Sequence, residues 1–207
     1  MAKTSAPKQI SFQQELIRKT FHLGALIVPA SYYLLGLSKL QMLAMMIPVF
    51  LGMFIIDVSR LRNWWLWRVI CSKFIGQLIR RHERKGDFIG ATYILLSTCC
   101  TIALYSMPIA VAALSFIIVG DAFAAIIGRK FGRHWFGRKS LEGSLACLAG
   151  TIIVAVCAPE LPFAVALIGA ATATIVEAFS VKVDDNITVP IASGLIMTIF
   201  NKIFTNL

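Results

Sequence analysis

The fold class this sequence predicts is an all-α polytopic membrane protein. It would have about seven transmembrane helices, the N-terminus in the cytosol and the C-terminus outside. Three observations carry the prediction. Hydrophobic residues make up 58% of the 207-residue chain and charged residues only 14%, with a mean hydropathy of +0.79. Soluble domains carry roughly 25% charged and 45–50% apolar residues. The apolar residues are gathered into runs near the ~20 residues that a helix needs to cross the hydrocarbon core. The third observation is that nearly all cations fall in alternate connections between those runs, the pattern that sets orientation.

In chain order, residues 1–20 read as a cytosolic N-terminal segment carrying Lys3, Lys8, Arg18 and Lys19. Residues 21–207 read as a single transmembrane catalytic domain. Candidate spans cover 21–37, 40–56, 88–106, 108–127, 141–158, 161–179 and 187–204. Charged loops, Pro108 and the Pro159/Pro162 pair separate the third to seventh. The first two are short and meet at Ser38-Lys39, which predicts a tight hairpin.

Segment 60–87 is different. Trp64, Trp67, Cys71, Phe74, Ile75 and Leu78 recur at spacings of three and four, while Arg62, Arg68, Lys73, Gln77 and Arg80 take the other side. That is an amphipathic helix with aromatic anchors, fit to lie in the headgroup plane or to pack as a small cytosolic helix.

With the N-terminus inside, only Lys39 and Lys202 of the 20 lysines and arginines fall outside. The net charge of +10 therefore records topology, and no nucleic-acid partner is expected. The lipid bilayer is the partner that the composition requires. The five cysteines show no CxxC pair and no metal-ligand spacing with histidine.

Acids in or beside apolar spans are expensive and mark function. Asp57, Asp121, Glu142, Glu177, Asp184 and Asp185 all fall at the cytosolic side of this topology, and only Glu160 does not. Arg18, Lys19, His22 and the cations after Gly128 share that side. A carrier would more often place its charges at midplane on broken helices. The arrangement suits a site taking a multiply charged substrate from the cytosol and a lipid sideways from the bilayer.

Stretch 120–143 is the richest. Asp121 ends an apolar run, and Ala125, Gly128 and Gly132 follow at helical spacing on its face. Arg129, Lys130, Arg133, Arg138 and Lys139 come next, and Glu142 closes the segment. Read alone, this is either a basic loop between two spans or a small-residue face for a metal-bound polyphosphate. No Gly-x-x-x-x-Gly-Lys-Ser/Thr loop or His-Arg-Asp kinase signature occurs.

Asp121-x-x-Ala124-x-x-x-Gly128-x-x-x-Gly132, followed by Arg138-Lys139-Ser140-x-Glu142-Gly143, resembles the signature of the CTP-using dolichol, phytol and diacylglycerol kinases. Glu15-x-x-Arg18-Lys19-x-x-His22, Arg81-x-Glu83 with Gly90-Ala-Thr92-Tyr93, and Glu177 with Asp185-Asn186-x-x-Val-Pro190 are similar to that family's other motifs, in family order. Arg138 stands where the family pattern has a lysine. The compact chain looks like a prokaryotic-type member.

The resemblance implies transfer of a phosphoryl group from CTP to a membrane lipid alcohol, with Mg²⁺ or another divalent cation. The lipid would be a polyprenol or dolichol, a diacylglycerol or a phytol-like alcohol. It implies catalytic roles for Asp121, Lys139, Glu142, Arg18 and Lys19. Nucleotide contacts would come from Ala124, Gly128, Gly132, Arg138, Ser140, Gly143 and Asn186, and metal contacts from Asp121, Glu177 and Asp185. Glu142 would either hold Lys139 or join the metal site. The expected location is the cytoplasmic membrane of a prokaryote or the endoplasmic reticulum of a eukaryote, with the site facing the cytosol. Phosphatidate cytidylyltransferases share part of the signature, but their Pro-Gly-His-Gly-Gly run is missing. A carrier or lipid-binding scaffold is the alternative from another class.

Overall fold

A computed structural model of the chain describes residues 12–65, 67–71, 86–137, 139–180 and 184–205. Eight α-helices account for most of them. They are α1 (Phe12–Gly24), α2 (Ile27–Leu34), α3 (Lys39–Leu61), α4 (Gly90–Leu104), α5 (Met107–Phe131), α6 (Leu141–Cys157), α7 (Phe163–Phe179) and α8 (Asp185–Thr205). Among the described residues, the departure from helix is a short hairpin, Trp135–Phe136 paired antiparallel with Lys139–Ser140. Gly137, at φ 63°, makes its tight turn in a region that disfavours a side chain.

The first expected span is broken in two. Pro29 has no N–H to give the Ala25 carbonyl, which accepts instead from Val28 at 3.0 Å. Ala25 and Leu26 likewise bond three residues back, to His22 and Leu23. This tightened turn separates α1 from α2. The helix also starts earlier than expected, at Phe12 within the segment read as a cytosolic tail. Its polar side faces inward: Glu15, Lys19 and His22 are buried, whereas Phe12, Leu16, Ile17 and Phe21 are exposed. Such an inside-out helix belongs against lipid.

α3 starts at a capping box, in which Ser38 Oγ accepts from the Gln41 amide and Gln41 Oε1 from the Ser38 amide. Its far end is fixed by Asp57, which is fully buried. Asp57 accepts hydrogen bonds from the Ile89 amide (2.7 Å), Thr92 Oγ1 (2.8 Å) and Arg60 Nε (2.8 Å). It therefore caps the start of α4 and is a joint between α3 and α4. Asp57→Asn removes the charge that Arg60 pairs with at Asp57 and one acceptor of the α3–α4 joint, and is expected to destabilise the protein by roughly 1–3 kcal/mol. Thermal unfolding in detergent reads this, and the specific activity of the folded fraction should be unchanged.

Only the beginning of the expected amphipathic segment lies within the described residues. α3 runs on to Leu61, and a single π-helical turn follows at Trp67–Cys71. Trp64 and Trp65 are exposed, and the Arg62 guanidinium lies 5.6 Å above the Trp64 ring. Residues 72–85, with Phe74, Ile75, Leu78 and the Arg81-x-Glu83 motif, lie outside the described residues.

α5 is the axis of the bundle. α1 and α2 pack along one flank, α6 along another, and α4, α7 and α8 complete the surround, while α3 leans on α4. Phe116, Ile117, Ile118, Ala110, Ala112 and Ala113 of α5 are buried with Ala166, Ala170, Val189 and Met197. Small residues let the helices approach closely. A Cβ on Gly169 would lie 2.5 Å from Met197 Sδ, and one on Gly194 would lie 2.4 Å from the Tyr105 ring. Tyr105 also donates to the Ile191 carbonyl at 2.6 Å, tying the end of α4 to α8.

Among the described residues, α3, α5 and α8 are long and apolar enough to cross a membrane; α4, α6 and α7 are shorter apolar helices. The exposed Leu145, Ile153, Val156, Ile175, Leu195, Ile199 and Ile203 give α6, α7 and α8 apolar outer faces. The molecule is built as a membrane protein.

Candidate active site

The site lies where the ends of α7 and α8 meet the side of α5. Asp121 sits ten residues before the end of α5, about 15 Å along a helix rising 1.5 Å per residue. Glu177 is in the last turn of α7, and Asp185 opens α8. One carboxylate oxygen from each of these three lies within 4.8 Å of the other two. Asp121 and Glu177 are buried and Asp185 is half-buried. Three anions this close repel strongly in a medium of low dielectric, so cations must accompany them.

Two lysines do so. Lys19 of α1, 1% exposed along its side chain, hydrogen-bonds Asp121 Oδ2. Lys139, on the second strand of the hairpin, bonds Glu177 Oε1 and lies 3.0 Å from Asp185 Oδ2. Burial alone would lower the pKa of the Lys139 ammonium, but Asp185 and Glu177 raise it above its ordinary value. It stays protonated well above neutral pH. Each acid thus has a lysine partner, yet valence remains: Glu177 Oε2 is buried and takes no hydrogen bond from a described residue.

His22 is the residue whose role the sequence left understated. Its Nε2 is buried 3.5 Å from Asp121 Oδ2, one helical turn beyond Lys19. The spacing of Lys19 and His22 put both on one helix face, and that signal was available. Glu15, a turn in the other direction, holds Arg18 by a side-chain hydrogen bond and Arg129 at 3.2 Å. Arg18 therefore stands with Glu15 and Arg129 at the rim of the site, its side chain 22% exposed.

The glycines form a helix contact. A Cβ on Gly128 would meet Ser140 Oγ at 3.0 Å and the Gly143 Cα at 3.3 Å; one on Gly143 would meet the Ala124 carbonyl at 3.0 Å. A Cβ on Gly132 would be tighter still, 2.9 Å from Ser140 Oγ and 2.2 Å from the Gly128 carbonyl. Ala124, Gly128, Gly132, Ser140 and Gly143 thus form the seam between α5 and α6. Ser140 additionally caps α6 by accepting the Gly143 amide at 3.1 Å. Gly128→Leu is expected to part these helices and to lower the yield of folded protein. A Gly128→Leu variant that unfolds at the wild-type temperature would remove this seam as a packing contact.

Glu142 neither holds Lys139 nor joins the carboxylates. It reaches back to the hairpin, accepting from the Arg133 amide (3.0 Å) and the His134 amide (3.3 Å) and pairing with His134 Nδ1 (2.7 Å). A side chain in the first turn of α6 points toward the chain that precedes it, which puts Glu142 on the loop. Asn186 is buried beside Asp185, donating from Nδ2 to Asp184 Oδ1 at 2.5 Å. Its Oδ1 takes no hydrogen bond from a described residue. Arg138 lies outside the described residues.

Hard carboxylate oxygens in this number suit a hard divalent cation such as Mg²⁺. The open valence on Glu177 is consistent with that fit.

No family model and no solved structure matches the chain. Curated relatives do. A Rickettsia prowazekii (strain Madrid E) protein of uncharacterised activity is 26% identical over 202 residues, spanning 93% of this chain and 98% of that protein. The Saccharomyces cerevisiae CTP-dependent diacylglycerol kinase 1 is 27% identical over 222 residues, spanning 93% of this chain and 75% of that one. A phytol kinase of a Synechocystis species is 39% identical over 88 residues, spanning 37% of this chain and 38% of that enzyme. By sequence the chain is thus similar to a CTP-dependent diacylglycerol kinase and to phytol kinases, the family its motifs resemble.

Proposed function

We propose that the chain is a membrane phosphotransferase that moves the γ-phosphoryl of CTP onto the hydroxyl of a lipid alcohol, releasing CDP. The lipid is of the polyprenol, diacylglycerol or phytol class. The observation that carries this reading is the buried convergence of Asp121, Glu177 and Asp185 with Lys19 and Lys139, in a chain whose named relatives are lipid kinases. In the reaction the bond from the γ-phosphorus to the β–γ bridging oxygen breaks. A bond from the lipid oxygen to that phosphorus forms, and the hydroxyl proton passes to solvent. Phosphoryl transfer asks of a protein mainly positioning and neutralisation of charge.

Asp121, Glu177 and Asp185 would hold Mg²⁺, which when bound neutralises the phosphate oxygens. Lys139, with Arg138 beside it in sequence, neutralises the transferring phosphate. Lys19 fixes the Asp121 carboxylate, and Arg18 at the rim meets the incoming nucleotide. Asn186 offers an amide oxygen and amide hydrogens beside Asp185. The α5–α6 seam holds these parts in register. The glycines act there through the backbone, and Glu142 acts by holding the loop that presents Lys139. Seven spans, a cytosolic N-terminus and a site at the cytosolic face complete the proposal, with α1 part of the membrane-embedded unit.

The test uses purified protein in detergent with γ-labelled CTP, Mg²⁺ and a panel of lipid alcohols. Labelled lipid monophosphate and CDP are expected. Conversion of phosphatidate to a CDP-lipid with pyrophosphate would instead make the protein a cytidylyltransferase. No product from any lipid would favour a carrier or scaffold.

A further inference from the structure

The two lysines at the site are held differently. Lys19 lies in the middle of α1, 1% exposed and bonded to Asp121. Lys139 lies on a two-residue strand, is 25% exposed, and bridges Glu177 and Asp185. Its ammonium therefore lies on one oxygen each of two of the three acids that would hold a divalent ion. An ammonium already on those carboxylates repels a divalent ion brought to contact distance and weakens its binding.

We propose that Lys139 is a placeholder cation: it fills the position between Glu177 and Asp185 in the nucleotide-free protein and yields it when a triphosphate arrives to receive the ammonium. This rests on the metal reading above and adds an order to it. The free protein binds the divalent ion weakly, and the ion enters together with the nucleotide. The half-exposed setting of Lys139 gives it a way to turn toward a phosphate oxygen, which buried Lys19 lacks. With Lys139 in place, three carboxylates and two ammonium groups leave one net negative charge. Swinging Lys139 onto a phosphate frees a second.

The test is Mn²⁺ binding to the full-length protein in detergent without nucleotide, read from the electron paramagnetic resonance signal of free Mn²⁺. Lys139→Met is expected to bind Mn²⁺ at least about ten-fold more tightly than the wild type, in the usual range of coupling between ligands. Lys139→Arg, which keeps the charge, should resemble the wild type, and Glu177→Gln should bind little. Equal or weaker binding by Lys139→Met overturns the proposal, as does equal tightening by Lys139→Arg.

The wild-type chain gives a second measurement that needs no variant to fold. Mn²⁺ alone should leave its unfolding temperature nearly unchanged, and Mn²⁺ with CTP should raise it. Full stabilisation by Mn²⁺ alone would also overturn the proposal. These readouts are separate from turnover. Placeholder behaviour without any lipid phosphate would sink only the kinase reading, and lipid phosphate with Mn²⁺ binding insensitive to residue 139 would sink only the placeholder.

Discussion

Asp121→Asn is expected to abolish turnover and, by a separate route, to loosen the fold. The loss of activity should reach at least about 10³-fold, the size seen when one charge contact to a transition state is removed. The loss of stability comes from Lys19, whose ammonium is 1% exposed and has Asp121 as its hydrogen-bonded anion. Removing one partner of a buried pair costs about 3–5 kcal/mol, whereas replacing both by apolar groups is often neutral. Asp121→Asn combined with Lys19→Met should therefore recover the unfolding temperature while remaining inactive. Thermal unfolding in detergent and CTP-dependent lipid phosphorylation together decide it. Near-normal turnover in Asp121→Asn would take Asp121 out of the mechanism. A double variant as unstable as the single one would mean that Lys19 does not depend on this anion.

Glu177→Gln is expected to lose activity on the same scale, again about 10³-fold, with Asp185→Asn and then Glu142→Gln progressively milder. Glu177 is 2% exposed, and its Oε2, which takes no hydrogen bond from a described residue, is shielded from water, so nothing can replace its charge. Asp185 is half-buried, and solvent offsets part of its loss. Glu142 acts one step removed, through the backbone of residues 133 and 134, and a glutamine can still accept one of those bonds. Its substitution should stay near the ten-fold end of what supporting contacts contribute. Initial rates across the four acids give the ranking, and a Glu142 variant as dead as Glu177→Gln would refute it.

Much of the site was legible because charge among apolar residues is costly wherever it falls. Asp121, Glu177 and Asp185 stood out for that reason, and the structure brings their oxygens together. Partner choice was not legible. Lys139 bonds Glu177 and Asp185 on other helices, although Glu142 is only three positions away. The direction of a side chain in a first helical turn decides that, and sequence spacing does not show it. Lys19 read as a topology-setting cation or a catalytic residue; its burial against Asp121 depends on α1 packing inside-out along α5. Asp57 shows the converse error. It is as buried as any acid here, yet its three hydrogen bonds make it a joint between helices. The membrane class and most helix boundaries followed from apolar runs. The break after Gly24 needed Pro29 to be read as a missing donor to Ala25.

The two flanks of α5 can part in quite different ways. Toward α6, backbone lies against backbone at Gly128 and Gly143, and a Cβ at Gly120 would already meet Cys147 Sγ at 2.9 Å. Opening that side means separating many small contacts at once, with nothing in the bilayer to replace them. Toward α1, attachment near the site runs through Lys19, His22 and Glu15 to Asp121 and Arg129. Ion pairs, unlike packed backbone, can exchange partners one at a time. The two contacts of α5 thus differ in kind: packed backbone toward α6 and buried charge toward α1.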